Sequence, residues 1–259
     1  ATITGRDPIA LAKAGTRLGG GTLKAWTLLG KLKPAVVVGF GGYPSFPPLV
    51  AARLRGIASA VHEQNAVMGR ANRALAKMAT AVASSFPELA SLPESAKSKM
   101  VFTGNPVRGI VLEAAAMGYP PLEPNGLFNL LVFGGSQGAA RLNAVLPAAI
   151  GELPAALRPA VLHQTGKHNF EETVQAYRAR GIEADVRPFI DDMASAYGWA
   201  DLAVCRSGAL TVTELAAAGV PAVLVPFPAA VDDHQTRNAQ YAVQAGAAKL
   251  LPEGDLTPI

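Results

Sequence analysis

The stretch LLVFGGSQGAARLN, residues 130–143, decides the fold. An apolar run ends in two glycines, and the letters SQG then lead into residues with helical spacing. This order predicts a buried strand that passes through a tight turn into a helix. The loop has neither the lysine of a P-loop nor the G-x-G-x-x-G spacing of a dinucleotide site, so neither motif assigns it a ligand.

Short apolar runs alternate with helical segments along all 259 residues. The predicted strands are 35–40, 58–62, 80–84, 99–102, 128–133, 160–163, 184–187, 202–205, 222–225 and 248–250. Runs without polar alternation are typical of parallel strands that are buried on both faces. So many strands exceed what one open sheet usually holds, and the proline-containing segment 108–126 interrupts the rhythm. The sequence therefore predicts an α/β protein with two doubly wound domains, residues 1–107 and 127–259, joined by a linker at 108–126.

The composition excludes several classes of protein. Half of the residues are hydrophobic and 16% are charged, which permits a large core and excludes extended disorder. A net charge of +4 permits an anionic substrate or membrane but is not a nucleic-acid signature. The one cysteine, Cys205, excludes a disulfide framework and a cysteine zinc site. Three prolines interrupt the apolar stretch 209–231, so we predict no spanning helix there.

Polar and glycine residues follow most of the predicted strands. In open α/β sheets, ligands bind beyond the carboxyl ends of the strands, so these residues are candidates for a site. At the glycine loop, backbone N–H groups around Ser136 would open a helix and attract an anion. The alternative is a tight turn with a serine N-cap. We favour the anion site because a second loop, RSGALT, has the same order of a strand end, a glycine and a helix start.

The segment RSGALTVTE predicts a helix with Ser207 as its N-cap and Glu214 in its second turn. A lone carboxylate on a helix of Ala, Leu, Val and Thr needs a partner. Two vicinal ribose hydroxyls would suit it. A salt bridge to Arg206 or Arg237 would serve equally well, and the residues alone leave both possibilities open.

Two further clusters carry several donors and acceptors. The letters HEQN, residues 62–65, directly follow a strand and are apt for sugar hydroxyls; a turn satisfied by its own side chains is the alternative. The letters DDHQ, residues 232–235, offer two aspartates and a histidine. Adjacent residues cannot easily all face one ion, so a helix-capping aspartate and a sugar-binding Gln235 are favoured over a metal site.

Taken together, these motifs resemble the MurG family of peptidoglycan N-acetylglucosaminyltransferases. The resemblance rests on GFGGYPS, HEQNAVMGRANRALAKMAT, GNPVR, GGSQGA and the long run from FIDDM to DDHQTRNAQ, which occur in this order across most of 36–250. It implies two Rossmann-like domains that face each other across a cleft, the GT-B arrangement. It also implies inverting transfer of N-acetylglucosamine from UDP-GlcNAc to the 4-hydroxyl of lipid I, giving lipid II and UDP without a metal or cofactor.

The resemblance also assigns roles to residues of this chain. Ser136 should cradle the diphosphate, and Arg108 should support the nucleotide or the leaving group. Asn65 and Gln235 should contact the transferred sugar, and Ile190 should meet the uracil, partly through its backbone. The nucleotide should be lined by Ala209, Leu210, Thr211, Val212, Thr213 and Glu214, with Glu214 on the ribose.

The chain departs from the family pattern at both ends. Family members begin with a strand and a G-G-T-G-G-H loop, whose histidine is a candidate base, and they end with further helix. Neither segment occurs here, and the chain starts at Ala1 without methionine, so we expect an incomplete record of the enzyme. The remaining candidate for the catalytic base is Glu63. The first domain should serve the acceptor and the membrane, and the second should bind the UDP-sugar.

The basic amphipathic segment TLKAWTLLGKLK, residues 22–33, has two interpretations. It could touch the inner leaflet through its leucines, Trp26 and lysines, or pack on its domain with the lysines in solvent. The lipid acceptor implied by the resemblance favours a peripheral protein at the cytoplasmic face of the cell membrane. Competing functions are a UDP-sugar epimerase or hydrolase on the same fold, and a non-catalytic nucleotide-binding scaffold of the division machinery.

Overall fold

The computed structural model describes residues 8–116, 118, 128–135 and 138–258. Their contacts divide the chain into two units, Ala1–Asn105 and Pro106–Ile259. Each unit is built around a parallel sheet with helices packed on it. Every strand lies where an apolar run predicts one, to within one residue at either end.

The first unit holds a four-stranded parallel sheet in the order β1-β2-β3-β4. Its elements are α1 (Pro8–Leu32), β1 (Val36–Gly39), α2 (Phe46–Leu54), β2 (Ala58–Glu63), α3 (Arg70–Ala76), β3 (Ala81–Ser84) and β4 (Met100–Phe102). Helix α1 packs on α2 through Leu29, which is buried beside Ala51 and Ala52. The unit is therefore a layered α/β structure in which α1 covers α2.

The second unit holds a six-stranded parallel sheet in the order β10-β9-β8-β5-β6-β7. Its strands are β5 (Asn129–Phe133), β6 (Ala160–Gln164), β7 (Ala184–Arg187), β8 (Leu202–Cys205), β9 (Ala222–Leu224) and β10 (Ala248–Leu250). Its helices are α4 (Gly109–Ala116), α5 (Ala140–Glu152), α6 (Phe170–Arg178), α7 (Met193–Trp199), α8 (Ala209–Ala218) and α9 (His234–Gln244). Alternate residues of β5 face opposite sides: Leu131 joins a core with α7 and α8, and Leu130 joins one with α5.

The stretch 209–231 folds as helix α8 followed by strand β9 rather than as one long helix. Gly219 ends α8 in the left-handed conformation at φ 71°, which is the usual role of glycine after a helix. No helix among the described residues is long and apolar enough to cross a membrane.

Part of the predicted linker 108–126 is helical. Residues 109–116 form α4, and Val111 on this helix is fully buried in the core that contains Leu131. This part of the segment is not a loose linker, because its apolar side chains pack on α7 and α8. Residues 119–127 lie outside the described part of the chain. The acceptor and donor roles of the two domains stay predictions.

A polar group lies in the middle of the second unit's core. The Tyr177 hydroxyl donates to His163 Nδ1 at 3.0 Å, and His163 Nε2 donates to Asn143 Oδ1 at 3.1 Å. The assignment of donors follows from Asn143, whose amide nitrogen donates to the Thr165 carbonyl at 2.9 Å. Burial lowers the pKa of His163 to about 3 and raises the pKa of Tyr177. His163 is therefore a neutral structural histidine.

This histidine predicts a loss of stability in mild acid. Its folded pKa of about 3 lies below the ordinary 6.5, so the unfolded chain takes up the proton first as the pH falls. The contribution of His163 to the free energy of unfolding is complete above about pH 6.5. It falls by about 1.4 kcal/mol per pH unit between about pH 6.5 and about pH 3. Urea unfolding should show this extra slope between about pH 6.5 and about pH 5 in the native protein and not in His163→Gln. Equal slopes in the two proteins would contradict the assignment.

Candidate functional site

The sheet order of the second unit singles out one position for a ligand. From β5 the chain runs to β6 and β7 on one side, and it then returns to β8, which pairs with β5 on the other side. Such a reversal of strand order leaves a crevice beyond the carboxyl ends of the two strands. Phe133 of β5 pairs with Cys205 of β8, so the loops GGSQGA and RSGALT begin side by side.

The loop after β5 requires glycine at two places. Gly138 has φ 74°, and a Cβ there would lie 2.0 Å from the Thr165 carbonyl oxygen. A Cβ on Gly134 would lie 2.4 Å from the Cβ of Ala139. The turn is closed by the Gly138 N–H, which donates to the Gly135 carbonyl at 2.9 Å. The loop therefore packs directly against the end of β6 and the start of α5, which a side chain at either position would prevent.

Helix α5 starts directly behind this turn. Its N-cap is Ala139, which makes no side-chain capping bond, so the alternative of a serine N-cap is not observed. A helix start without a cap leaves backbone N–H groups for an anion. Ser136 and Gln137 lie outside the described residues, and the diphosphate contact assigned to Ser136 stays a prediction.

The loop after β8 also leads into a helix without a side-chain cap, and here one prediction is corrected. The N-cap of α8 is Gly208, not Ser207 as predicted, and Gly208 provides no side-chain cap. Ser207 stands one residue earlier and is fully buried, and its Oγ has no hydrogen-bond partner among the described residues. Its carbonyl accepts from Asn238 at 3.2 Å, which fixes the loop against α9. The α8 N-terminus, which includes Ala209, Leu210 and Thr211, thus follows the strand that pairs with β5, the strand that leads into α5.

Glu214 lies in the second turn of α8, as predicted, and it has two partners. Arg108 Nε donates to Oε1 at 2.8 Å and its Nη2 donates to Oε2 at 3.1 Å, while the Tyr197 hydroxyl donates to Oε2 at 3.1 Å. The salt bridge considered in the sequence exists, but its partner is neither Arg206 nor Arg237. Arg206 instead pairs with Glu253.

The ion pair has an asymmetric environment. The Arg108 side chain is half-exposed, whereas the Glu214 side chain is mostly buried. The hydrogen bond with Glu214 raises the pKa of Arg108. Burial, with the nearby Glu214 charge, raises the pKa of Tyr197, so its hydroxyl stays a donor. The structure thus brings together two residues to which the sequence assigned separate roles.

Gln164 was not among the predicted site residues. It ends β6 and is 3% exposed. Its Nε2 donates to the Gly135 carbonyl at 2.9 Å, and its Oε1 accepts from the Ile190 N–H at 3.1 Å. Ile190 itself is buried in the apolar core, and its backbone donor is engaged by Gln164. The available signal was the position of a polar residue at the end of a strand, in HQTGK.

Gln235 and the start of α9 are tied to the neighbouring loop. Gln235 Oε1 accepts from the Phe227 N–H at 2.9 Å. Asp233 occupies the N-cap of α9, as predicted, but its carboxylate accepts from the Thr236 hydroxyl at 2.6 Å rather than from the backbone. Over the part of the chain that the structure describes, no group of three or more His, Cys, Asp or Glu residues could hold a metal ion.

In the first unit, Glu63 ends β2 and is 2% exposed. Oε1 accepts from the Asn65 backbone at 3.1 Å and side chain at 3.3 Å, and Oε2 accepts from the Gly69 N–H at 3.0 Å and from Asn72 Nδ2 at 2.8 Å. A carboxylate can accept about four hydrogen bonds, and Glu63 already accepts four. This geometry favours a positioning role over the base role predicted for Glu63, and it explains how Asn65 is held.

The loops after the strands of the first unit are also joined to one another. His62 Nε2 bonds the Gly104 carbonyl at 3.0 Å, and the Ser85 hydroxyl donates to Asn105 Oδ1 at 2.7 Å. Asn105 Nδ2 in turn donates to the Gln64 carbonyl at 3.3 Å. The HEQN segment is therefore fixed by the GNP segment. From the sequence alone, these two segments were predicted to lie on separate loops.

The chain matches two domain families. Residues 129–259 match the glycosyltransferase family 28 C-terminal domain, and residues 10–84 match the glycosyltransferase family 28 N-terminal domain. Together these matches cover most of the chain.

Individual proteins give the same result. A Pseudomonas paraeruginosa protein named UDP-N-acetylglucosamine–N-acetylmuramyl-(pentapeptide) pyrophosphoryl-undecaprenol N-acetylglucosamine transferase is 50% identical over 97% of this chain and 69% of its own length. The crystal structure of Acinetobacter baumannii MurG is 40% identical, with a TM-score of 0.78 over 94% of this chain and 68% of that one.

A more distant structure shares the fold alone. The UDP-GlcNAc 2-epimerase of Neisseria meningitidis is 14% identical, with a TM-score of 0.60 over 92% of this chain and 70% of that one. By the identity to the transferases and the match to both family 28 domains, the chain belongs to the MurG family of glycosyltransferases, with the two α/β domains of the GT-B fold.

Proposed function

We infer that the protein transfers N-acetylglucosamine from UDP-GlcNAc to lipid I, the undecaprenyl-diphosphate-linked MurNAc-pentapeptide, in peptidoglycan synthesis. The observation that carries this function is the 50% identity, over nearly the whole chain, to a protein named for that reaction. Transfer to the 4-hydroxyl with inversion at the anomeric carbon is the finer form of the proposal. It gives lipid II and UDP as products.

The second unit is proposed to bind the sugar nucleotide at the crevice between β5 and β8. Helices α5 and α8 both start beyond the carboxyl ends of these paired strands and neither has a side-chain cap, so their N–H groups and dipoles favour an anion. The diphosphate of UDP-GlcNAc is that anion, and it gains negative charge as the sugar leaves. Fixed backbone donors stabilise such charge without a metal ion.

The ion pair of Arg108 and Glu214 constrains how the ribose can bind. Three of the roughly four acceptor positions of the carboxylate are taken by Arg108 and Tyr197. Two ribose hydroxyls can therefore both donate to Glu214 only if Arg108 withdraws. We propose this exchange: the ribose replaces the guanidinium, and the freed Arg108 stabilises the leaving diphosphate.

The proposed function is tested by radiolabel transfer from UDP-GlcNAc to a short-chain lipid I analogue, with the full-length protein. Labelled lipid II and one UDP per transfer are expected. Release of UDP without transfer would favour a hydrolase or epimerase. Neither product despite measurable UDP binding would favour a nucleotide-binding scaffold.

The exchange predicts different kinetic effects for its two members. Glu214→Ala should raise KM for UDP-GlcNAc about tenfold, because a buried acceptor for the ribose is lost. Arg108→Ala should lower kcat about 100-fold without raising KM, because it removes a cation needed only when the leaving group is charged. Arg237→Ala, which removes an exposed arginine without a bond to Glu214, is the matched control and should change neither constant. A raised KM with unchanged kcat in Arg108→Ala would contradict the exchange.

Glu63 is proposed to act through Asn65, which stays a predicted contact of the transferred sugar together with Gln235. Glu63→Gln brings an NH2 group among four donors and leaves some of them unpaired. We expect kcat/KM to fall about tenfold, since each unpaired buried donor costs roughly 1–3 kcal/mol, and the shape of its pH profile to stay unchanged. Loss of the acidic limb of that profile would show instead that the carboxyl accepts the reaction's proton.

Contact with the membrane surface is proposed for α1. Leu23, Leu28 and Leu32 are exposed on this helix, and Lys24 and Lys31 are exposed between them. Trp26 is partly engaged within the unit, because the Arg55 guanidinium lies 3.8 Å from the centroid of its ring. Exposed leucines flanked by lysines suit an anionic lipid surface. Because lipid I is a membrane lipid, we place the protein peripherally at the cytoplasmic face of the cell membrane.

Vesicle co-sedimentation tests this contact. The double variant Leu28→Ser with Leu32→Ser should bind vesicles that contain phosphatidylglycerol about tenfold more weakly, since two apolar side chains no longer enter the lipid. Leu157→Ser, which changes an equally exposed leucine of the second unit, is the control and should bind normally. Equal binding by all three proteins would leave α1 without a role at the membrane.

A further inference from the structure

Gln164 joins two loops of the second unit that the proposed function gives to different parts of one ligand. Its side chain bonds the Gly135 carbonyl in the glycine loop and the Ile190 N–H in the loop after β7. We propose that Gln164 is a positioning residue that holds the diphosphate loop and the uracil loop at the spacing that the sugar nucleotide requires. This inference rests on the proposed function, because it takes the ligand to be UDP-GlcNAc.

The sheet explains why Gln164 can reach both loops. Strand β6 lies between β5 and β7, and Gln164 pairs with Phe133 on one side and with Arg187 on the other. Phe133 is the last residue of β5 before the glycine loop, and Arg187 is the last residue of β7 before the Ile190 loop. A side chain at the end of β6 thus lies between the two strand ends from which these loops start.

The chemistry of the two bonds requires a carboxamide. The glycine loop presents an acceptor, the Gly135 carbonyl, and the Ile190 loop presents a donor, its N–H. Glutamine carries one donor and one acceptor end, so a single orientation satisfies both. A carboxylate could accept from Ile190 but would set an oxygen against the Gly135 carbonyl, and an apolar side chain could bond neither group.

The backbone beneath Gln164 is itself fixed. Thr165 N–H donates to the Arg187 carbonyl at 3.0 Å, and the Thr165 carbonyl accepts from Asn143, which is held by His163. The same Thr165 carbonyl lies where a Cβ on Gly138 would clash. The end of β6 is therefore a rigid support, and the Gln164 side chain transfers that rigidity to the two loops.

Loss of this support should weaken binding of the sugar nucleotide rather than slow the chemical step. Loops that are no longer held must be ordered when the ligand binds, and this cost lowers affinity. Once both loops are on the ligand, the donors around the leaving group are the same. The expected signature is a raised KM for UDP-GlcNAc with an unchanged kcat.

The test uses two variants and one control in the full-length protein. Gln164→Met removes both bonds with a side chain of similar length, and Gln164→Glu keeps the acceptor and removes the donor. Gln175→Glu makes the same change of charge on the exposed face of α6, away from both loops. Each protein is assayed for transfer with varied UDP-GlcNAc at saturating lipid I analogue, for UDP binding by calorimetry and for thermal unfolding.

We expect KM for UDP-GlcNAc and Kd for UDP to rise together, about tenfold in Gln164→Met and further in Gln164→Glu, with kcat within about twofold in the neutral variant Gln164→Met. The lipid I KM and the Gln175→Glu constants should not change. Lower kcat or a lower melting temperature with unchanged KM and Kd in both variants would overturn the inference, since Gln164 would then be merely structural. If the native protein transfers no sugar, the proposed function fails, and the UDP Kd values still decide the role of Gln164.

Discussion

The reversal of strand order between β5 and β8 is the constraint on which the second unit depends. Parallel strands need crossover connections, and those that follow β5 and β8 start from the glycine-containing loops GGSQGA and RSGALT at the carboxyl edge. Because β5 and β8 are neighbours whose crossovers leave in opposite directions, α5 and α8 both start beyond the carboxyl ends of adjacent strands. Two backbone donor sites are thus produced by topology alone. Side chains then have to select the ligand and fix the loops.

The backbone was largely predictable from the sequence, because burial on both faces of a parallel strand leaves an unbroken apolar run. Glu214 could also be placed in its helical turn by counting from the RSG loop. Its partner could not, since Arg108 stands 106 residues away and the choice among three arginines depends on tertiary placement. Ser207 fits the composition of an N-cap, yet the turn into α8 is made by Gly208 and buries the serine. Gln164 could be suspected only from its position at the end of a strand, because its bonds go to backbone atoms of two other loops, whose sequences do not reveal the partner.

Neutral side-chain amides hold several loops of the second unit in place. Gln164 bonds two backbone groups, Asn143 bonds His163 and Thr165, and Asn238 bonds Ser207. A buried amide costs little when both of its ends are paired, whereas a buried charge needs a counter-charge close by. Support by amides therefore rigidifies the crevice without adding a negative charge beside the place proposed for a diphosphate. Gln164→Glu is informative for that reason, because it changes the charge and leaves the size of the side chain almost unchanged.

The ion pair of Arg108 and Glu214 differs from these supports in being partly exposed, and its function can be argued from that difference. An ion pair with one half-exposed member is held weakly, because water and salt screen it. Its opening therefore costs little of the free energy that the proposed binding of the ribose to Glu214 would supply. In the proposed exchange, the guanidinium charge is neutralised by Glu214 before the nucleotide binds, and afterwards it is available to the group that becomes more negative as the sugar leaves. The bound nucleotide frees the charge of Arg108, and the attraction between this charge and the leaving group becomes stronger as the leaving group becomes more negative. An interaction that is stronger in the transition state than in the ground state raises kcat rather than affinity alone.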